Sequence, residues 1–229
     1  MKAFFQDNAR RFLYALFFII TLVLIYAVDV GLVLTGHGLS DEAIWYLIRS
    51  SGIVAYLLLT IATAWGIVLS SKVVKEWIPA AVALELHTYL SWTALGLTIY
   101  HAYLLLFSSF FNYRWIDLLL PFTGPYEPLW VGLGIIAAYL MLLTSLTFYI
   151  SKQIGYATFR KIHYLTYALF GLALAHGWMS GTDGQALQLI YVGSGLLVFF
   201  LTVYRVLWAR STTSSTVSAS AHPYTLIRS

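Results

Sequence analysis

Four of the chain's six histidines fall inside apolar stretches, where an imidazole is costly unless something engages it. His87 and His101 bracket "HTYLSWTALGLTIYH", and His163 and His176 bracket "HYLTYALFGLALAH". The first two are 14 residues apart, on an α-helix a rise of about 21 Å and a return to within about 40° of the same face. The second two are 13 apart, a rise of about 19.5 Å with an angular offset of about 140°. Their helix is therefore expected to bend, twist or bulge between them, with Gly171 as the place. Two imidazoles at each of two matched depths suit a b-type haem at each depth. Each buried Nε2 then meets iron, and filling both axial positions favours electron transfer over oxygen binding. One membrane histidine alone is more often interhelical glue; four in this arrangement reverse that weighting. A single zinc or copper ion fits less well, because the two depths are too far apart for one ion. His37 and His222 fall in a loop and in the tail, where a solvated side chain needs no explanation.

The elements that must position these groups follow from composition. The chain has 229 residues, 60% hydrophobic and 10% charged, where a soluble domain carries roughly a quarter charged residues. An all-α integral membrane protein is implied, and the net charge of +4 is no nucleic-acid surface. With no cysteine there is no disulfide, no cysteine-ligated iron–sulfur cluster, no thioether-attached haem and no thiol nucleophile. Six apolar segments each reach the ~20 residues of a transmembrane helix: Phe12–Thr35, Ile44–Ser70, Pro79–Ser108, Pro128–Ser151, Phe159–Met179 and Ala186–Ala209. The first follows Lys2, Arg10 and Arg11 but is too long for a signal peptide's apolar region, so it reads as a retained helix.

Loop charges set the orientation. With residues 1–11 as a cytoplasmic N-terminus, the inside segments hold all basic residues except Arg49 and Arg114, and the outer ones carry Asp41, Glu42, Asp117, Glu127 and Asp183. The expected fold is a six-transmembrane-helix bundle over residues 12–210 with both termini cytoplasmic, in the inner or plasma membrane. The tail, 211–229, begins "STTSSTVSASA" and is expected to be disordered. The outer loop "SSFFNYRWIDLLLPFTGPYEP" is apolar and aromatic and is expected to lie on the membrane surface. In this topology the third and fifth segments run the same way. His87 and His163 pair near the inner end, and His101 and His176 near the outer end.

Other residues join these sites. Arg49, in the first turns of the second segment, reads as a partner for an outer haem propionate or an acceptor anion rather than as a snorkelling cation. Arg160 and Lys161 precede His163 and suit the inner propionates, though ordinary positive-inside residues look the same. Trp92 and Phe170 lie between the two depths, where either could shorten an inter-haem path, with core packing their commoner use. Glu85, near a helix start, suits the helix dipole, and Asp29 is the other intramembrane acid.

The histidine framework, together with "RSSGIVAYLLL", "IDLLLPFTGPYEPLWVGLGIIAAYL", "FRKIHYLTYALFGLALAHG" and "GWMSGTDG", resembles the ferric reductase-like transmembrane family over residues 10–210. That family is the haem-bearing membrane domain shared with NADPH oxidases. The resemblance implies six helices, two b haems and single-electron transfer across the membrane. Members of the reductase and oxidase type carry a flavin and nicotinamide domain after the sixth helix. Here "HPYT" at His222–Thr225 is similar to that domain's flavin-contacting motif, but without the strands that precede it. An electron-transferring oxidoreductase subunit is thus expected, its reductant a cytoplasmic partner protein (with any flavin on that partner) or a quinol. The outer acceptor is ferric iron, oxygen or a periplasmic protein. The alternatives are the haem subunit of a methionine sulfoxide reductase-type system and, from another class, a proton channel or transporter using the histidines as a relay.

Overall fold

A computed structural model describes residues 39–70, 78–181 and 185–220. The first apolar segment, Phe12–Thr35, lies outside the described residues, as do Asp29, His37 and the "HPYT" stretch. Everything described is helix or connecting loop, with no strand among the described residues. The elements are α1 (Asp41–Ser70), α2 (Ala80–Leu104), α3 (Trp115–Leu119), α4 (Pro128–Tyr149), α5 (Ser151–Ile154), α6 (Tyr156–His163), α7 (Leu165–Ser180) and α8 (Gln188–Ser220).

Local chemistry marks the boundaries. Ser40 caps α1 by accepting the Ala43 N–H, with Asp41 and Glu42 in the first turn where the helix dipole favours acids. Pro79 precedes α2, and Pro128 opens α4, where its missing N–H is not needed. Gly155, at φ 81°, separates α5 from α6 in a conformation an L side chain rarely adopts.

Among the described residues, four helices are long and apolar enough to cross a membrane: α1, α2 with its 3₁₀ extension to Phe107, α4, and α8 as far as Trp208. Their outward faces carry exposed apolar side chains, among them Val54, Ile61, Ile99, Leu142, Leu146, Phe199 and Phe200. Apolar surface on that scale suits lipid rather than water. The chain therefore reads as a membrane protein.

In lipid, helices associate through close packing and hydrogen bonds rather than through hydrophobic exclusion. α1 packs most extensively on α2, and α4 on α7. Small residues on α1, including Gly52, Ala55, Ala62 and Gly66, allow the first approach. The two hairpin-like units meet over a core that includes Leu59, Leu95, Met141, Leu169, Phe170 and Val198. α8 closes the core from α1's other side, where the Tyr56 hydroxyl hydrogen-bonds Ser194.

One expectation needs correction. The fifth segment is not one helix bent at Gly171. It divides at Tyr164 into α6 and α7, and Gly171 sits inside α7 with open space where a Cβ would point. Tyr164 keeps right-handed helical angles, and the Tyr167 N–H reaches only three residues back, to the Tyr164 carbonyl. The chain therefore tightens by a 3₁₀-type step, which adds winding and reduces the 13-residue angular shortfall.

Candidate functional site

Each apolar-segment histidine stands on a helix that faces its counterpart across the bundle. The His101 and His176 ring centres are 6.3 Å apart, with the planes at 72°. Those of His87 and His163 are 6.1 Å apart at 73°. The four residues thus form two facing pairs, each joining α2 to the α6–α7 stretch.

Three of the four are held in one way. His101 Nδ1 lies 2.8 Å from the Ile48 carbonyl oxygen, His87 Nδ1 3.1 Å from that of Ala62, and His176 Nδ1 3.0 Å from that of Trp130. A carbonyl only accepts, so each Nδ1 carries the hydrogen and each Nε2 keeps its lone pair. Four residues beyond each carbonyl stands a glycine against the same ring. A Cβ built on Gly52 would come within 2.9 Å of His101, on Gly66 within 3.0 Å of His87, and on Gly134 within 2.8 Å of His176. One turn of a neighbouring helix therefore supplies a carbonyl to orient the imidazole and a bare backbone to let it lie close. Ser180 adds to the third such seat, with its Oγ 3.2 Å from His176 Nδ1.

His163 is different. Its Nδ1 is buried with no hydrogen-bond partner among the described residues. Its ring instead stacks on Phe159 of its own helix, with centres 5.3 Å apart and planes at 29°.

No pattern within a single segment marks the three glycines. The readable signal is that Gly52 and Gly66 on α1 are 14 residues apart, as are His87 and His101 on α2. Two antiparallel helices in one register bring both pairs into contact.

The other candidate residues sit as follows. Arg49 follows the Ile48 carbonyl that holds His101, and its guanidinium lies over the Trp45 ring at 5.0 Å. Arg160 is exposed, donates to the Tyr164 hydroxyl at 3.0 Å and lies over the Tyr156 ring at 5.9 Å. Lys161 is exposed beside it. Phe170 is buried in the core between the two pairs and stacks on Tyr56 at 6.1 Å. Trp92 packs against the same core and meets Tyr149 at 5.9 Å.

The loop before α4 covers the His101–His176 end. Ser109 donates to Asp41, Tyr113 donates to the Tyr126 carbonyl, and Tyr126 donates to the Ser180 carbonyl. Within the loop Arg114 grips Asp117 through Nε and Nη2, at 3.0 and 3.1 Å. Those hydrogen bonds hold the Asp117 carboxyl below its ordinary value of 3.8. Exposed apolar side chains at Phe110, Trp115, Leu119 and Phe122 give the loop a membrane-facing character.

The donor set tests which groups the pairs could hold. A metal bonded to two opposed imidazole nitrogens at about 2.0 Å each, with about 1.1 Å more from nitrogen to ring centre, spaces the centres by roughly 6.2 Å. Both pairs match that spacing. Among the described residues no group of three or more His, Cys, Asp or Glu is placed to hold a metal ion. A bare zinc site takes three or four protein donors, so two opposed imidazoles suit a metal that brings its remaining ligands in a macrocycle. Compared with known proteins, the chain matches no family model, no curated protein and no solved structure.

Proposed function

We propose that the chain is the membrane subunit of an oxidoreductase that carries single electrons between two b-type haems stacked at two depths of a six-helix bundle. The observation that carries this reading is the twofold occurrence of paired imidazoles at a one-metal ring spacing, with no third His, Cys, Asp or Glu donor beside them among the described residues. His101 and His176 would hold one haem, and His87 and His163 the other. The bound haems supply reversible one-electron chemistry at iron. The chain's own part is to fix each imidazole, exclude water and set the local charge.

The carbonyls of Ile48, Ala62 and Trp130 hold Nδ1–H and so present Nε2 as the ligating atom, while the Nδ1 hydrogen bond raises the ligand's basicity. Arg49 supplies a cation at the depth of the first pair, for a propionate or an acceptor anion, and Arg160 and Lys161 do so beside the second. Phe170 and Trp92 keep the space between the sites apolar. Buried apolar Ala94, Leu95 and Leu169 on α2 and α7 favour electron transfer over a proton relay.

Loop charges favour both termini in the cytoplasm and the His101–His176 site outermost. Electrons then come from a cytoplasmic donor protein or a quinol and leave to ferric iron, oxygen or a periplasmic protein. The resemblance to the ferric reductase-like family supports the same assignment. Pyridine haemochrome analysis of protein purified from haem-sufficient cells is expected to give about two haems per chain. Less than half a haem per chain contradicts the proposal.

A further inference from the structure

The four histidines occupy a repeating frame with one position changed. On α1 the two seats are Ile48 with Gly52 and, 14 residues on, Ala62 with Gly66. On α4 the first seat is Trp130 with Gly134. Counting the same 14 residues along α4 gives Thr144 and Phe148. The Thr144 carbonyl already accepts the Thr147 hydroxyl at 3.1 Å, and the residue in glycine's place bears an aromatic ring. Phe148 packs on Phe159 at 6.2 Å, and Phe159 stacks on His163. The fourth seat is thus replaced by two phenylalanines. His163 also ends α6, one residue before the chain tightens at Tyr164, whereas the other three lie within long helices.

We propose that His163 is the exchangeable ligand of the pair it forms with His87, so that this site admits a small external ligand such as carbon monoxide while the His101–His176 site stays closed. The inference rests on the haem assignment made above. Its physical basis is that a metal-bound histidine almost always gives its second N–H to a fixed acceptor, and loss of that partner typically weakens the site about 10- to 100-fold. His101, His87 and His176 have the acceptor. Among the described residues His163 has only a stacked ring, which resists tilting but does not fix the tautomer or the rotation about the ring axis. Phe159 is then the positioning residue for His163.

The test is carbon monoxide binding to the reduced, haem-loaded full-length protein, followed in the Soret band beside a haem count. Conversion of one haem of the two is expected, and it should persist in His101→Leu, which keeps only the His87–His163 site. Phe159→Leu should speed ligand entry about 10- to 100-fold, and Phe159→Tyr, which keeps the ring, should restore the native rate. Two haems with no carbon monoxide spectrum in native protein or Phe159→Leu overturns this inference alone. So does equal binding at both sites, or a Phe159→Leu rate equal to native. Protein free of haem overturns both this inference and the assignment beneath it. If Phe159→Leu does not fold, the native spectrum and that of His101→Leu still decide.

Discussion

At the His101–His176 end both imidazoles give Nδ1 to a backbone carbonyl and rest on a glycine of the neighbouring helix, and a hydrogen-bonded loop covers them. At the His87–His163 end His87 alone is held that way among the described residues, and its partner stands at a helix junction against phenylalanine rings. The ring spacings are nearly the same, at 6.3 and 6.1 Å. Facing distance and fixation are therefore separate properties of a two-histidine site. The first comes from helix register and the second from what the neighbouring turn offers.

Substitutions at the glycines test that distinction most severely. Gly52→Ala and Gly134→Ala each set a methyl group within 2.9 Å or less of an imidazole, an overpacking worth about 1–3 kcal/mol. That corresponds to roughly 5- to 150-fold weaker retention at the His101–His176 site, read as haem lost on stepwise extraction. Gly66→Ala should weaken the other site instead. Alanine is the better helix former by about 1 kcal/mol, so a site lost in these variants is not explained by a weakened helix.

A smaller effect is expected at Arg49. Arg49→Ala should retain both haems and lower the potential of the His101–His176 site alone, because a nearby cation favours the electron-richer state. Unchanged potentials would make Arg49 a snorkelling cation. Smallest is the loop. The Asp117 carboxyl is held below its ordinary value by Arg114, so the stabilisation it gives is fully present above pH 3.8 and is lost as pH falls through the lowered folded value. Between pH 5 and 8 (a window chosen well above that range) the Arg114–Asp117 contribution should not vary. Asp117→Asn should remove it at every pH, with a slight fall in Tm and no change at the His87–His163 site.

The juxtaposition of the four histidines was legible because helix rise converts residue spacing into depth, and two parallel segments at matched depth must face each other. The seats were not legible. Gly52, Gly66 and Gly134 acquire meaning only through the register of another helix, which no single segment encodes. The division at Tyr164 escaped because the residue keeps right-handed angles and neither glycine nor proline marks it, whereas Gly171 offered a visible but unused weak point.

The most direct measurement is an optical redox titration of the native protein beside the four single variants His87→Leu, His101→Leu, His163→Leu and His176→Leu. Two steps are expected in the native protein and one in each variant. The same step should survive in His101→Leu and His176→Leu, and the other in His87→Leu and His163→Leu. Loss of the same step by His87→Leu and His101→Leu, both on α2, would contradict the pairing across elements and with it the two-site account.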